Sequence, residues 1–395
     1  MTAVQGQAEK SPTIFLIAGE ESGDQLGGAL MEVLRELLDG RVRFGGVGGA
    51  RMAANGLESL FPITETAIVG FAAIFARLPQ LMARIRQAAD AIVAAKPDGL
   101  VIIDSPDFTH RVARRVRARA PGIPIVDYVS PSVWAWRPGR ARRMRGYVDH
   151  VLAILPFEPE VHRRLGGPPC TYVGHPLFEK RNRLRPGPGE RPPLTRGVHP
   201  TLVVLPGSRR SEVERLSGCF GGALDRIARA RPDFEVIVPA VAHLADEIRE
   251  RTRSWRNNPK IVIGEDEKHA AFRRAHAALA ASGTVTLELA LAHVPMAVAY
   301  RIELPIALVR LVIDAPTIVL PNIVLGEMAI PEFLNTEATP EALATAVAPL
   351  LGDTPTRARQ VAALERIDGL MAVDGAPSRL AAEIVLKTAR LPARS

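Results

Sequence analysis

The chain has 395 residues, which at roughly 150 per domain suggests two to three domains. Its 47% hydrophobic content can bury a sizeable core and excludes disorder as the overall state. A net charge of +8 points to anionic partners (nucleic acid, acidic lipid or phosphorylated ligands), and two cysteines, Cys170 and Cys219, exclude a disulfide scaffold and favour a reducing, cytoplasmic setting.

The polar start, Met1 to Pro12, predicts no secretory signal. Thr13 to Ala18 reads as a buried parallel strand. Gly19 turns the chain, and Ser22 with Gln25 has the capping-box spacing for a helix through Leu38. Arg43 to Val47 is a second strand. Ala67 to Met82 carries a wide apolar surface (Ile68, Val69, Phe71, Ile74, Phe75, Leu78, Leu81, Met82) flanked by Arg77, Arg84 and Arg86. It suits either a buried helix or an interfacial helix that dips into lipid. Gly99 to Ile103 and Ile123 to Val129 are further strands. Arg183 to Pro200 is rich in proline and glycine and reads as a linker.

The alternation then restarts. Strands are predicted at Thr201–Leu205, Phe234–Val238, Lys260–Ile263, Ala277–Ala280 and Val294–Ala299. Ser211 to Glu214 has capping-box spacing. No window reaches the roughly eighteen apolar residues of a membrane-spanning helix; Ile302 to Leu325 is broken by Glu303, Arg310, Asp314 and prolines. Strand–helix alternation means parallel sheets covered by helices. The organisation is α/β: two doubly wound Rossmann-like domains, 1–182 and 201–359, facing a central cleft, with 360–388 helical.

Ligands of open α/β sheets bind at the carboxyl ends of strands. That rule selects Gly19-Glu20-Glu21-Ser22-Gly23-Asp24 after the first strand, where a tight turn is an equally good explanation. Asp104 follows the third strand and can take a proton from a substrate hydroxyl; Asp107 competes with it but also suits a helix cap. Ser130 to Arg137 holds Trp134 and Trp136, whose faces suit sugars or acyl chains, and Arg137 opens a run of five arginines in nine residues. Gly207-Ser208-Arg209 and Ser282-Gly283-Thr284 each join a strand to a helix and together make a diphosphate site. Glu288, one helical turn beyond Thr284, can accept ribose hydroxyls. His175 either touches a ligand or is structural. The nine histidines have no metal-binding spacing.

In order along the chain, Ala18-Gly-Glu-Glu-Ser-Gly-Asp24, Ile103-Asp-Ser-Pro-Asp-Phe108, Tyr128-Val-Ser-Pro-Ser-Val-Trp-Ala-Trp-Arg137, Leu155-Pro-Phe-Glu158, Val173-Gly-His-Pro176, Leu205-Pro-Gly-Ser-Arg209, Ala281-Ser-Gly-Thr284 and Leu320-Pro-Asn322 resemble the lipid-A-disaccharide synthases, glycosyltransferases of the GT-B fold. The resemblance implies an inverting transfer with no metal and no cofactor. UDP-2,3-diacylglucosamine donates its sugar to the 6-hydroxyl of 2,3-diacylglucosamine 1-phosphate (lipid X), giving lipid A disaccharide 1-phosphate and UDP. By position, Asp104 matches the general base and Arg209 the diphosphate arginine. Ser282, Thr284, Glu288 and Asn322 match the nucleotide site. Glu20, Ser22, Gly23, Asp24, Ser130, Trp134, Trp136 and Arg137 fall on the acceptor side. Phe71, Ile74, Phe75, Leu78, Leu81 and Met82 are assigned to an anionic inner-membrane surface on the cytoplasmic side. Glu327 follows Gly326 where many of the family carry an arginine. The C-terminal helix is expected to pack back on the first domain, and the family is associated with homodimers. Another UDP-sugar enzyme (a non-lipid glycosyltransferase or an epimerase) is the runner-up. Nucleic acid is disfavoured because no binding motif accompanies the charge.

Overall fold

Twelve short strands form two parallel sheets among the described residues of this computed structural model, which are 11–66, 71–195, 197–301 and 316–392, with only the helical backbone described over 71–77. The chain divides into two compact units: residues 1–176 with 373–395, and residues 177–372.

In the first unit the sheet order is β2-β1-β3-β4-β5-β6. The strands are β1 (Thr13–Ala18), β2 (Arg43–Val47), β3 (Gly99–Ile103), β4 (Ile125–Tyr128), β5 (His150–Ala153) and β6 (Cys170–Tyr172). The continuous apolar runs of β1 and β3 are explained by burial on both faces: Ile14, Leu16, Ile17 and Leu100 to Ile103 are all fully buried. Each such side chain stabilises the fold by about 1.5–3 kcal/mol. The helices α1 (Glu21–Leu37), α2 (Ala50–Ala54), α3 (Phe71–Ala95) and α4 (Pro106–Arg119) lie between the strands. Chain order reverses at β1, whose neighbours are β2 and β3, so Gly19 and Asp104 leave adjacent strand ends at the switch point.

The second sheet repeats the plan in the order β12-β11-β10-β7-β8-β9. Its strands are β7 (Thr201–Leu205), β8 (Glu235–Ala240), β9 (Lys260–Ile263), β10 (Ala277–Ala281), β11 (Met296–Tyr300) and β12 (Glu332–Leu334). Here the switch lies between β7 and β10, which pair from Ala277↔Leu202 to Ala280↔Leu205. The turns after Leu205 and Ala281 are thereby neighbours.

Several local expectations are corrected. α1 begins at Glu21 with no side-chain cap, so Ser22 and Gln25 form no capping box. The box at the helix after β7 (Arg210–Ala230) lies two residues early: Glu212, not Glu214, reaches back to the N-cap, Arg209. The proline-rich stretch is not a loose tether. Arg191 donates to the carbonyls of Phe272, Arg273, Ala292 and His293, and Arg185 pairs with Asp368. The C-terminal helix is two helices, Pro355–Met371 in the second unit and Pro377–Thr388 in the first.

Candidate functional site

The first unit's candidate residues meet at its switch point. Ser22 Oγ donates to Asp104 Oδ2 at 3.0 Å, and the Ser105 N–H donates to Asp104 Oδ1 at 2.7 Å. Thr109 Oγ1 holds the Asp104 carbonyl at 2.7 Å. Asp104, Ser105 and Val129 all adopt positive φ, at 52°, 45° and 82°. Left-handed backbone in non-glycine residues is costly, and here it falls at the ends of the adjacent strands β3 and β4. Gly19 must be glycine: a Cβ there would sit 2.4 Å from the Ser105 Cβ. Asp107 does not cap α4. It is 70% exposed, and Arg140 Nη2 approaches it at 3.4 Å.

Asp24 is buried and faces away from solvent. Its oxygens accept the N–H groups of Gly49, Arg51 and Met52 at 2.7, 2.9 and 3.0 Å, which caps α2 from outside. Glu20 and Ser22 are exposed, whereas Gly23 is buried. In the next loop Ser130 is buried with its Oγ 2.8 Å from His162 Nε2. Trp134 packs edge-on against Phe157, with ring centroids 5.5 Å apart. Trp136 lies beneath two guanidiniums, Arg137 at 4.3 Å and Arg140 at 5.6 Å from its centroid. Beneath this loop, burial pushes the Glu158 carboxyl up to about 8, although it accepts the Leu155 N–H at 3.0 Å. His175 is also buried and stays neutral, its pKa lowered to about 4 by desolvation.

The apolar segment is only partly within view. Ile68, Val69 and the side chains of Phe71, Ile74, Phe75 and Arg77 lie outside the described residues. Leu78 is exposed. Leu81 is buried in the first unit's core and Met82 packs against that core, so neither faces outward as the lipid-facing set requires.

In the second unit a cavity of about 550 Å³ opens at the switch point. Gly207, Ser208, Arg209, Ser282, Gly283, Thr284 and Glu288 all line it. Gly207 has φ +129°, and a Cβ there would collide with the Glu212 Cβ at 2.4 Å. Asn322 is not in the lining. It is buried, and its amide bonds both backbone groups of Ile330, at 2.8 and 2.9 Å. Glu327 is paired with Arg366 at 2.7 Å.

Sequence reasoning missed part of this cavity. Pro239 and Ala240 end β8, and Ile263 ends β9 with Gly264 following it; both pairs form its walls. The strand-end rule, applied to every strand, would have found them. Lys268, Glu212 and Glu265 also line the cavity. Among the described residues no group of three or more His, Cys, Asp or Glu could hold a metal, and no helix is long and apolar enough to cross a membrane.

The family model described as lipid-A-disaccharide synthetase matches residues 14–384. The chain belongs to the lipid-A-disaccharide synthetase family. It is therefore a glycosyltransferase of lipid A disaccharide synthesis. The lipid-A-disaccharide synthase of Bradyrhizobium diazoefficiens is 57% identical over 389 residues, covering 98% of this chain and 99% of its own. That of Nitrobacter winogradskyi is 56% identical, with 98% of each covered. That of Ruegeria pomeroyi is 43% identical, with 96% and 95% covered. Solved structures share the fold. The glycotransferase of kitacinnamycin has a TM-score of 0.60 at 16% identity, covering 97% of this chain and 100% of its own. The calicheamicin glycosyltransferase has 0.58 at 18%, covering 96% and 98%. A Neisseria meningitidis UDP-GlcNAc 2-epimerase has 0.54 at 12%, covering 95% and 99%. The two doubly wound units are the GT-B plan that the motifs led us to expect.

Proposed function

We propose that the second unit binds the UDP of UDP-2,3-diacylglucosamine and that the first binds lipid X through the Asp104 and Trp134 loops. The observation that carries this reading is the switch-point cavity, which gathers both glycine turns, Arg209 and Glu288. A cavity of that size suits a nucleotide, and its polar groups converge from several strand ends.

The reaction is a single displacement. Asp104 accepts the proton of the acceptor 6-hydroxyl as that oxygen attacks the anomeric carbon. The bond from that carbon to the UDP oxygen breaks, the configuration inverts, and UDP leaves with its charge met by Arg209 and the cavity's donors. Ser22 and the Ser105 N–H fix the orientation of the Asp104 carboxylate. A second reading moves the base to Asp107, favoured by its 70% exposure and its Arg140 neighbour.

The apolar start of α3, with the arginines that follow it, is assigned to an anionic membrane surface, and pairing of two copies is assigned to the C-terminal parts. Turnover by Asp104→Asn and Asp107→Asn tests the base. The assignment predicts a loss of about 10²–10⁴-fold in kcat for Asp104→Asn with UDP still bound. Full activity there, with the loss appearing in Asp107→Asn, would move the base three residues along the chain, into the first turn of α4.

A further inference from the structure

Two side-chain cations line the nucleotide cavity, and each is held by a glutamate. Arg209 Nη1 donates to Glu212 Oε1 at 3.1 Å. Lys268 Nζ lies 3.1 Å from Glu288 Oε1 and 2.9 Å from Oε2. The two pairs are not equivalent. Glu212 is buried and also accepts the backbone N–H groups of Ser208 and Arg209, at 3.0 and 3.2 Å. Those two N–H groups are thus already occupied where a phosphate would meet them. Ser282 is also engaged, its N–H on the Ala299 carbonyl and its hydroxyl on that of Ile318, so the donors that remain include the Gly283 and Thr284 N–H groups, the exposed Arg209 guanidinium and Lys268.

Lys268 stands on the first turn of the helix Glu265–Arg274, with its N–H on the Gly264 carbonyl at 3.1 Å. Its ammonium reaches across to the helix Val285–Leu291, which carries Glu288. The other acid in the lining, Glu265, has its close ion pair with Lys180 at 3.0 Å, and Lys268 acts on it only through space. Glu288, with both oxygens on one ammonium, has little room for ribose hydroxyls. A nucleotide supplies what each partner then lacks: phosphate oxygens for the ammonium and hydroxyl donors for the carboxylate. The ammonium exchanges one anion for another, and the Glu288 carboxylate, no longer ion-paired, is held by the hydroxyl hydrogen bonds it accepts.

We infer that Lys268 is a second cation of the diphosphate subsite, leaving the Glu288 carboxylate for a phosphate oxygen when the nucleotide binds and freeing Glu288 for the ribose. This rests on the reading of the cavity as the UDP site. The test measures dissociation constants of UDP and of uridine for the full chain, wild type, Lys268→Met, Lys268→Arg and Glu288→Gln. Lys268→Met is expected to weaken UDP by about 10–100-fold while uridine changes by less than about twofold. Lys268→Arg is expected to restore most of the UDP affinity. Salt should weaken UDP less steeply in Lys268→Met than in wild type. Glu288→Gln should weaken both ligands. Lys268→Gln serves as a second truncation if the methionine variant melts early. Equal losses for UDP and uridine in Lys268→Met would make Lys268 a support for Glu288 alone and overturn the inference, as would no loss for either. Wild-type protein that does not bind UDP would overturn the reading beneath it.

Discussion

Asp24 lies in a motif that suggests ligand contact, yet its carboxylate holds the start of α2. Replacing it with alanine therefore tests whether the motif is architecture. Three N–H donors lose an ionised acceptor. A hydrogen bond to a charged group contributes about 1.5–3 kcal/mol, and the full cost falls only on donors that water cannot reach. Met52 is buried, whereas Gly49 is half-buried and Arg51 exposed. One full loss of about 2–3 kcal/mol and two partial losses of about 1 kcal/mol each give roughly 4–5 kcal/mol. For a unit of this size that lowers Tm by about 8–20 °C. Thermal melting followed by circular dichroism, with and without Asp24→Ala, reads this directly. A variant that melts with wild type but binds lipid X poorly would refute the structural assignment and return Asp24 to the acceptor site.

Gly207→Ala places a Cβ against Glu212 in a backbone conformation that side chains rarely adopt; UDP affinity should fall at least about tenfold, checked by calorimetry, with the first unit's melting unchanged. Glu158 has its pKa raised by burial from an ordinary carboxyl value to about 8. The unfolded chain loses that proton near pH 4.5 and the folded chain near 8, so this contribution is complete below pH 4.5 and is lost as pH rises towards 8. Urea melts of wild type and Glu158→Gln between pH 5 and 8 should show the variant gaining on wild type as pH rises; a constant gap would contradict the buried acid. Replacing Ile74, Phe75 and Leu78 with serine should release the protein from vesicles containing anionic lipid, measured by flotation, whereas unchanged flotation would remove the membrane role of α3.

The long buried strands were legible because their apolar runs are unbroken and their ends are marked by glycine or aspartate. β1, β3 and β7 have the bounds expected of them, and so do β2 and β9, which are partly exposed but are each followed by a glycine. β5, β6 and β12 are only three or four residues long and carry too few apolar positions to show a period. Helix starts were less legible, because capping spacing does not say which donor a side chain will choose: Ser22 took Asp104 and Glu212 took Arg209. Much of the second unit's cavity could be read, since each glycine turn ends a recognisable strand. Lys268 could not, because its role depends on Glu288 arriving from a helix 20 residues away. The resemblance put Asn322, the end of the Leu320-Pro-Asn322 motif, in the nucleotide site, but one residue's side-chain partners are set by the chain that folds over it, here Ile330.

The central claim is a glycosyl transfer between two acylated sugars. Product analysis after incubation with UDP-2,3-diacylglucosamine and lipid X tests it most directly. One β-1,6-linked disaccharide 1-phosphate should form for each UDP released, with no UDP when lipid X is withheld. UDP release without disaccharide would contradict it.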